Sequence, residues 1–128
     1  MALERINPAG LHQPLGHHHV VKDGNTVYVA GQVSRGKDGR TVGVGDGDAQ
    51  AEQIFGNLQV ALASVGSDLR HIKKLNVFLT HREDIPAYRA ARSKFIPDDA
   101  LPVSTLILCA GLNDPDLRIE VEVIASVP

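Results

Sequence analysis

One stretch in the middle of this chain repeats its apolar residues every three to four positions, while the segments around it alternate in twos. Ala51, Ile54, Phe55, Leu58, Ala61, Leu62 and Val65 share one side of a helix, with Glu52, Gln53, Asn57 and Gln59 largely filling the other. Asp48 is placed to cap its start, because a short acidic side chain accepts from the free amides of a first turn, and Gly66 is placed to end it. The pattern predicts an amphipathic helix of about five turns. A helix with one apolar stripe must lay that stripe on something, and its period-two neighbours offer a sheet.

Before it, His17 to Lys22 reads as a short strand, Asp23-Gly24-Asn25 as a turn, and Thr26 to Val33 as the second arm of a hairpin. Gly31 interrupts that arm, which marks a bulge or a close approach to the backbone. Residues 35–47 form a loop with five glycines and room for a short strand around Arg40 to Val42. After the helix, Ile72 to Thr80 alternates, with Leu75, Val77 and Leu79 on one face and Lys74, Asn76, Phe78 and Thr80 on the other. A second helix follows from about Asp84 to Phe95, with Pro86 in its first turn and Pro97 beyond its end. Val103 to Cys109 and Leu117 to Val127 read as the final strands, joined by Asn113-Asp114-Pro115-Asp116. In the last, Ile119, Val121, Val123 and Ala125 face one way, and Glu120 and Glu122 the other. The order β-β-(β)-α-β-α-β-β predicts an α+β fold, with both helices on one face of a largely antiparallel sheet. The opposite face, carrying Asn76, Phe78, Glu120, Glu122 and Ile124, is mixed in character; burial in an oligomer would account for its apolar members.

A length of 128 residues suffices for one modest core, so residues 1–128 are read as a single domain. A net charge of -2, with cations scattered and only Lys73-Lys74 adjacent, weighs against a nucleic-acid partner. The single cysteine, Cys109, excludes an internal disulfide and a cysteine zinc cage, and reads as a buried inert thiol. The N-terminus has no signal-peptide core, and no apolar run nears the roughly 20 residues of a membrane span. Cytoplasm, with no membrane partner, is the expected setting.

Four phrases then stand out in order: Lys22 to Gln32 (KDGNTVYVAGQ), Gln53 to Leu58 (QIFGNL), Lys73 to Thr80 (KKLNVFLT) and Ile119 to Ala125 (IEVEVIA). Together they resemble the RidA/YjgF family, also called the liver perchloric-acid-soluble protein family, from about residue 14 to the C-terminus. The resemblance implies a chorismate-mutase-like homotrimer whose three sheets form a barrel coated by helices, with small-molecule clefts between subunits. It implies hydrolysis of reactive enamines and imines to keto acids and ammonia, without metal or organic cofactor. In such relatives an arginine on the penultimate strand holds the substrate carboxylate, and a glutamate on the last strand positions water with backbone groups.

This chain departs at the arginine. The family phrase Pro-Ala-Arg-Ser-Thr stands here as Leu101-Pro102-Val103-Ser104-Thr105, with Val103 or, one register away, Ser104 at the arginine position. No Lys or Arg occurs between Lys94 and Arg118. Loss of a buried charge contact of this kind costs about 2–5 kcal/mol, so a carboxylate-bearing imine is expected to bind roughly 30-fold to several thousand-fold worse. Glu122 matches the water-positioning glutamate and is the catalytic candidate, against the alternative of a solvated strand carboxylate; Glu120 reads as structural. Thr105 aligns with a cleft cysteine or threonine, Gly31 with a cleft glycine, and Asn76 with polar lining. His17 is the nearest match to a cleft tyrosine. His17 and His19 would share a strand face, which suits a metal, but no third ligand is identifiable and none is assigned. Arg89 aligns with a cleft asparagine; it and Arg92, three residues on, are candidate replacement cations or plain helix surface. The functional expectations are a deaminase-type hydrolase, a non-catalytic metabolite-binding module on the same cleft, or, against the weak basicity, an endoribonuclease or translation inhibitor.

Overall fold

The computed structural model describes residues 3–128, and among these one sheet of six strands carries two helices on a single face. The strands are β1 (Glu4–Ile6), β2 (Val20–Asp23), β3 (Thr26–Gln32), β4 (Ile72–Leu79), β5 (Val103–Leu108) and β6 (Ile119–Ser126); the helices are α1 (Gly47–Ala63) and α2 (Ile85–Phe95). In space the strands run β1-β2-β3-β6-β4-β5, and only β4 with β5 is parallel. The α+β reading holds. The last two strands are not neighbours, however: β6 inserts between β3 and β4, and β5 lies beyond β4 at the edge.

Alternation along β4 and β6 places Leu75, Val77, Leu79, Ile119, Val121 and Ala125 in the core with Val20, Val27 and Val29. From the other side α1 contributes Ile54, Phe55, Leu58, Ala61 and Leu62, all fully buried. Such side chains stabilise by about 1.5–3 kcal/mol each on leaving water, which makes this face the source of the fold's stability.

Several local expectations shift. Asp46 rather than Asp48 caps α1, its Oδ1 accepting from the Ala49 amide at 3.1 Å, because the helix begins at Gly47; Asp48 lies in the first turn. Gly66, at φ 78°, does turn the chain away, and the Ser67 amide closes the end on the Leu62 carbonyl at 3.0 Å. The hairpin turn is Gly24-Asn25, since Asp23 still pairs with Thr26. Its first arm starts at Val20, leaving His17, His18 and His19 ahead of the strand, so the strand face expected to join His17 and His19 does not form. The Arg40–Val42 strand is only a bridge between Arg35 and Thr41. Cys109 is half-buried, its Sγ 3.6 Å from the Leu79 carbonyl oxygen.

Asn57, expected on the polar side of α1, is buried instead. It donates to the Val33 and Arg35 carbonyls at 3.2 and 3.0 Å, while Gln53 donates to the Asn57 Oδ1 at 2.9 Å. Gln50, fully buried, donates to the Gly43 and Asp116 carbonyls and accepts from the Arg118 amide. These amides sit inward because their partners are backbone groups of loops that would otherwise be orphaned under the helix. They fix the loop after β3 against the scaffold.

Candidate functional site

On the sheet face without helices, register assembles a polar row. Glu122 on β6 lies opposite Asn76 on β4, which lies opposite Thr105 on β5, and partners in register project to the same side. The Asn76 Nδ2 donates to the Glu122 Oε1 at 3.1 Å. Two residues along, Glu120 pairs with Phe78 and Phe78 with Ile107; in the other direction Lys74 separates Ile124 from Val103. On β6 this face is half-buried where the opposite one is dry, and on β5 it is exposed.

Gly31 explains itself through Glu120. Between Val29 and Gln32 the β3–β6 register slips, so Ala30 and Gly31 form a bulge. A Cβ at position 31 would run into the Glu120 carboxylate. The glycine therefore serves both roles anticipated for it, a bulge and a close approach. The bulge and the carboxylate border a hollow of about 390 Å³, lined further by His12, His17, His19, Arg35, Asn113 and Glu122. A neighbouring hollow of about 360 Å³ is bordered by Tyr28, Lys74, Asn76 and Glu122. Glu122 is common to both.

Burial, and after it the charge of Glu122, raises the Glu120 carboxyl above the ordinary carboxylate range, with His17 pulling in the opposite sense. A partly desolvated carboxyl beside a second carboxylate is disposed to take up a proton. His17 donates Nδ1–H to the Leu15 carbonyl at 3.0 Å, which leaves its Nε2 outside that bond. His19 is committed at both nitrogens: Gln32 donates to its Nδ1 at 3.1 Å, and its Nε2 donates to the His12 carbonyl at 2.8 Å. That ring supports the wall and has no lone pair left for a metal. Among the described residues no three His, Cys, Asp or Glu side chains are grouped to hold one. Burial, followed by the charges of His19, Arg35 and His17, lowers the pKa of His12.

The candidates thus separate. His17, Gly31 and Glu122 share one hollow, Asn76 joins Glu122, and Thr105 stands next in the row. Val103 is 68% exposed at the start of the edge strand and lines neither hollow. Arg89 is exposed on α2, which packs with α1 on the far face of the sheet; Arg92, half-buried there, reaches the Ser93 hydroxyl at 3.4 Å. Neither arginine borders the hollows. Sequence reasoning gave Glu120 a structural role and passed over His12 and Arg35. For Glu120 the available signal was its place one strand residue from Val121, on the face of Glu122; for Arg35 there was none, since a loop has no period.

A sheet with a helix-covered dry face and an open face bearing acidic hollows defines a small α+β protein of the Rid-type fold. The model of the family described as Endoribonuclease L-PSP matches residues 12–127, and the chain belongs to that family, also known as RidA/YjgF. A protein of Dermatophagoides farinae named 2-iminobutanoate/2-iminopropanoate deaminase is 27% identical over 116 residues, 90% of this chain and 89% of the relative. The mitochondrial protein mmf1 of Schizosaccharomyces pombe is 29% identical over 121 residues, 94% of this chain and 74% of that one. The crystal structure of RidA from a Psychrobacter species superimposes with a TM-score of 0.90 at 25% identity, covering 97% of this chain and 99% of its own. No helix among the described residues is long and apolar enough to cross a membrane.

Proposed function

We propose that this protein hydrolyses small reactive imines or enamines to carbonyl compounds and ammonia, with water activated in the hollow that Glu120 and Glu122 share. One observation carries the reading: a carboxyl held above its ordinary range sits against a glycine bulge, beside a second carboxylate and an imidazole. Water attacks the imine carbon while one of its protons passes to Glu120 Oε. Glu120 returns that proton to the imine nitrogen, giving a neutral carbinolamine. The carbinolamine's hydroxyl proton then passes by way of the Glu120 carboxylate to the same nitrogen, so that the C–N bond breaks with ammonia as the leaving group and the C=O forms. Glu122, braced by Asn76, aligns the water. The deaminase name of the mite relative supports this chemistry.

The water-holding role expected of Glu122 with backbone groups is thereby divided, Glu120 taking the proton. Ammonia release from a panel of imines by wild type, Glu120→Gln and Glu122→Ala tests the division. Wild-type rates in both variants would remove the pair from catalysis.

The working particle in this reading is a cytoplasmic homotrimer, in which the half-buried sheet face and the exposed Tyr28, Val103, Ile107 and Leu108 become contacts. Sedimentation of wild type and Ile107→Asp at matched concentration checks it. A monomeric wild type would contradict it.

Val103 favours a second reading, a metabolite-binding module without turnover, because the strand that anchors carboxylates in relatives offers only an aliphatic side chain here. Ligand-specific thermal stabilisation without ammonia release would support that alternative. Nuclease action, which the family description names, has little support from a net charge of -2 without a basic stripe; RNA cleavage that persists through stringent purification would revive it.

A further inference from the structure

The hollow with the carboxylates contains a cation that no strand position supplies. Arg35 lies in the loop after β3 and borders the same hollow as Glu120, Glu122, His17 and Gly31, with its charge felt at His12 on the same wall. Its backbone is held: Asn57 donates to the Arg35 carbonyl at 3.0 Å, and Gln53 reaches the same oxygen at 3.5 Å. The side chain, 26% exposed, has one acidic neighbour, Asp114, at 3.7 Å from Nη2. That separation is a loose ion pair, longer than a hydrogen bond, so the guanidinium fork keeps its donors for another acceptor. Asn113, next to that partner, also borders the hollow.

From this we infer that Arg35 anchors a carboxylate on the ligand, gripping it from the loop side of the hollow and not from β5. The inference rests on the hydrolytic reading for what happens after binding; the binding itself stands apart from it. An imino acid carries its anionic group one carbon from the reacting C=N, so a single pocket must hold a cation and a water-activating carboxyl together. Among the candidates only Arg35 meets that condition. Lys74 stands beside Val103 in register, but it is exposed and borders the neighbouring hollow. Arg89 and Arg92 belong to the helix-covered side.

Binding of pyruvate and of its uncharged methyl ester, titrated by NMR against the full-length protein, is the test. Wild type should prefer the acid. Arg35→Gln should weaken pyruvate by about 10- to 100-fold, the worth of a charge-assisted contact, and leave the ester unchanged. Arg35→Lys should recover part of the loss, since it restores charge without the fork. Asp114→Asn removes the ion pair but keeps the guanidinium, so its pyruvate affinity should be retained; an equal loss there would mean that Arg35 acts only by holding the loop, and would overturn the inference. Unchanged pyruvate binding in Arg35→Gln, or the same loss in Lys74→Gln, would overturn it too. Ammonia release measured in parallel keeps the two ideas separate. Turnover that depends on Glu120 with no Arg35 effect defeats the anchor alone, and Arg35-dependent binding without turnover defeats the hydrolase reading alone.

Discussion

The two faces of this sheet are built from the same strands by the same alternation, and they differ in almost everything else. Under the helices, Leu75, Val77, Leu79, Ile119 and Val121 are fully buried against Ile54, Phe55 and Leu58, and the polar groups there are paired amides. On the open side, Asn76, Phe78, Glu120, Glu122 and Ile124 are half-buried, one carboxyl is pushed up by its surroundings, and a glycine is required for fit. The covered face holds the fold together. The open face accepts desolvated charge at a cost, which is the arrangement a binding or catalytic surface needs. What separates them is the character of the side chains that alternation sends to each side, which leaves the apolar face for the helices to cover.

That contrast predicts a gradient of mutational effects. Leu58→Ala on the covered face should cost about 2–5 kcal/mol in urea unfolding, since the cavity has no route to solvent. A loss under about 1 kcal/mol would mean that the face is not close-packed. Glu120→Gln should lower kcat for imine hydrolysis by about a hundredfold or more and leave the fold intact by circular dichroism. Parity with wild type would erase the functional half of the contrast.

Asn57→Ala joins the two faces. It leaves the Val33 and Arg35 carbonyls without that donor and should cost about 1–3 kcal/mol. Hydrogen exchange should locate the loosening in residues 33–35, and protection unchanged there would detach the helix amide from the site.

A smaller effect depends on pH. The folded-state pKa of Glu120 lies above its ordinary 4.5, so its protonated form is favoured in the native protein. The associated stability is fully present below that ordinary value and is lost as pH rises through the raised one. Glu120→Gln should therefore melt slightly above wild type at pH 7, with the gap closing near pH 4. A gap that widens towards acid would reverse the sign. At the bottom of the scale, Val44→Thr in the exposed loop before α1 should change stability by no more than about 0.5 kcal/mol. A larger loss in thermal unfolding would show that this loop is covered.

The helix Gly47–Ala63, the alternation of β4 and β6 and the hairpin at Gly24-Asn25 were legible in the chain because each follows from local periodicity or turn chemistry. Asn57 and Gln50 were not, because a polar residue at a helical position gives no sign of the distant carbonyl that will receive it. The same blindness shaped the reading of the site. Two acids on one strand face were visible, but the environment that sets them apart was not.

Amino-acid order alone determined the elements, the side of each strand destined for the core, the family resemblance and the absence of Lys or Arg between Lys94 and Arg118. Only the tertiary structure decided that β6 lies between β3 and β4, that Glu120 presses on Gly31, and that Arg35 enters the acidic hollow. The physical reason is range. Periodicity reports whether a side chain meets water, a property of its own few neighbours. Which group meets which depends on pairings between segments far apart in the chain, such as Arg35 with Asp114 and Gly31 with Glu120. Those pairings exist only once the sheet has closed.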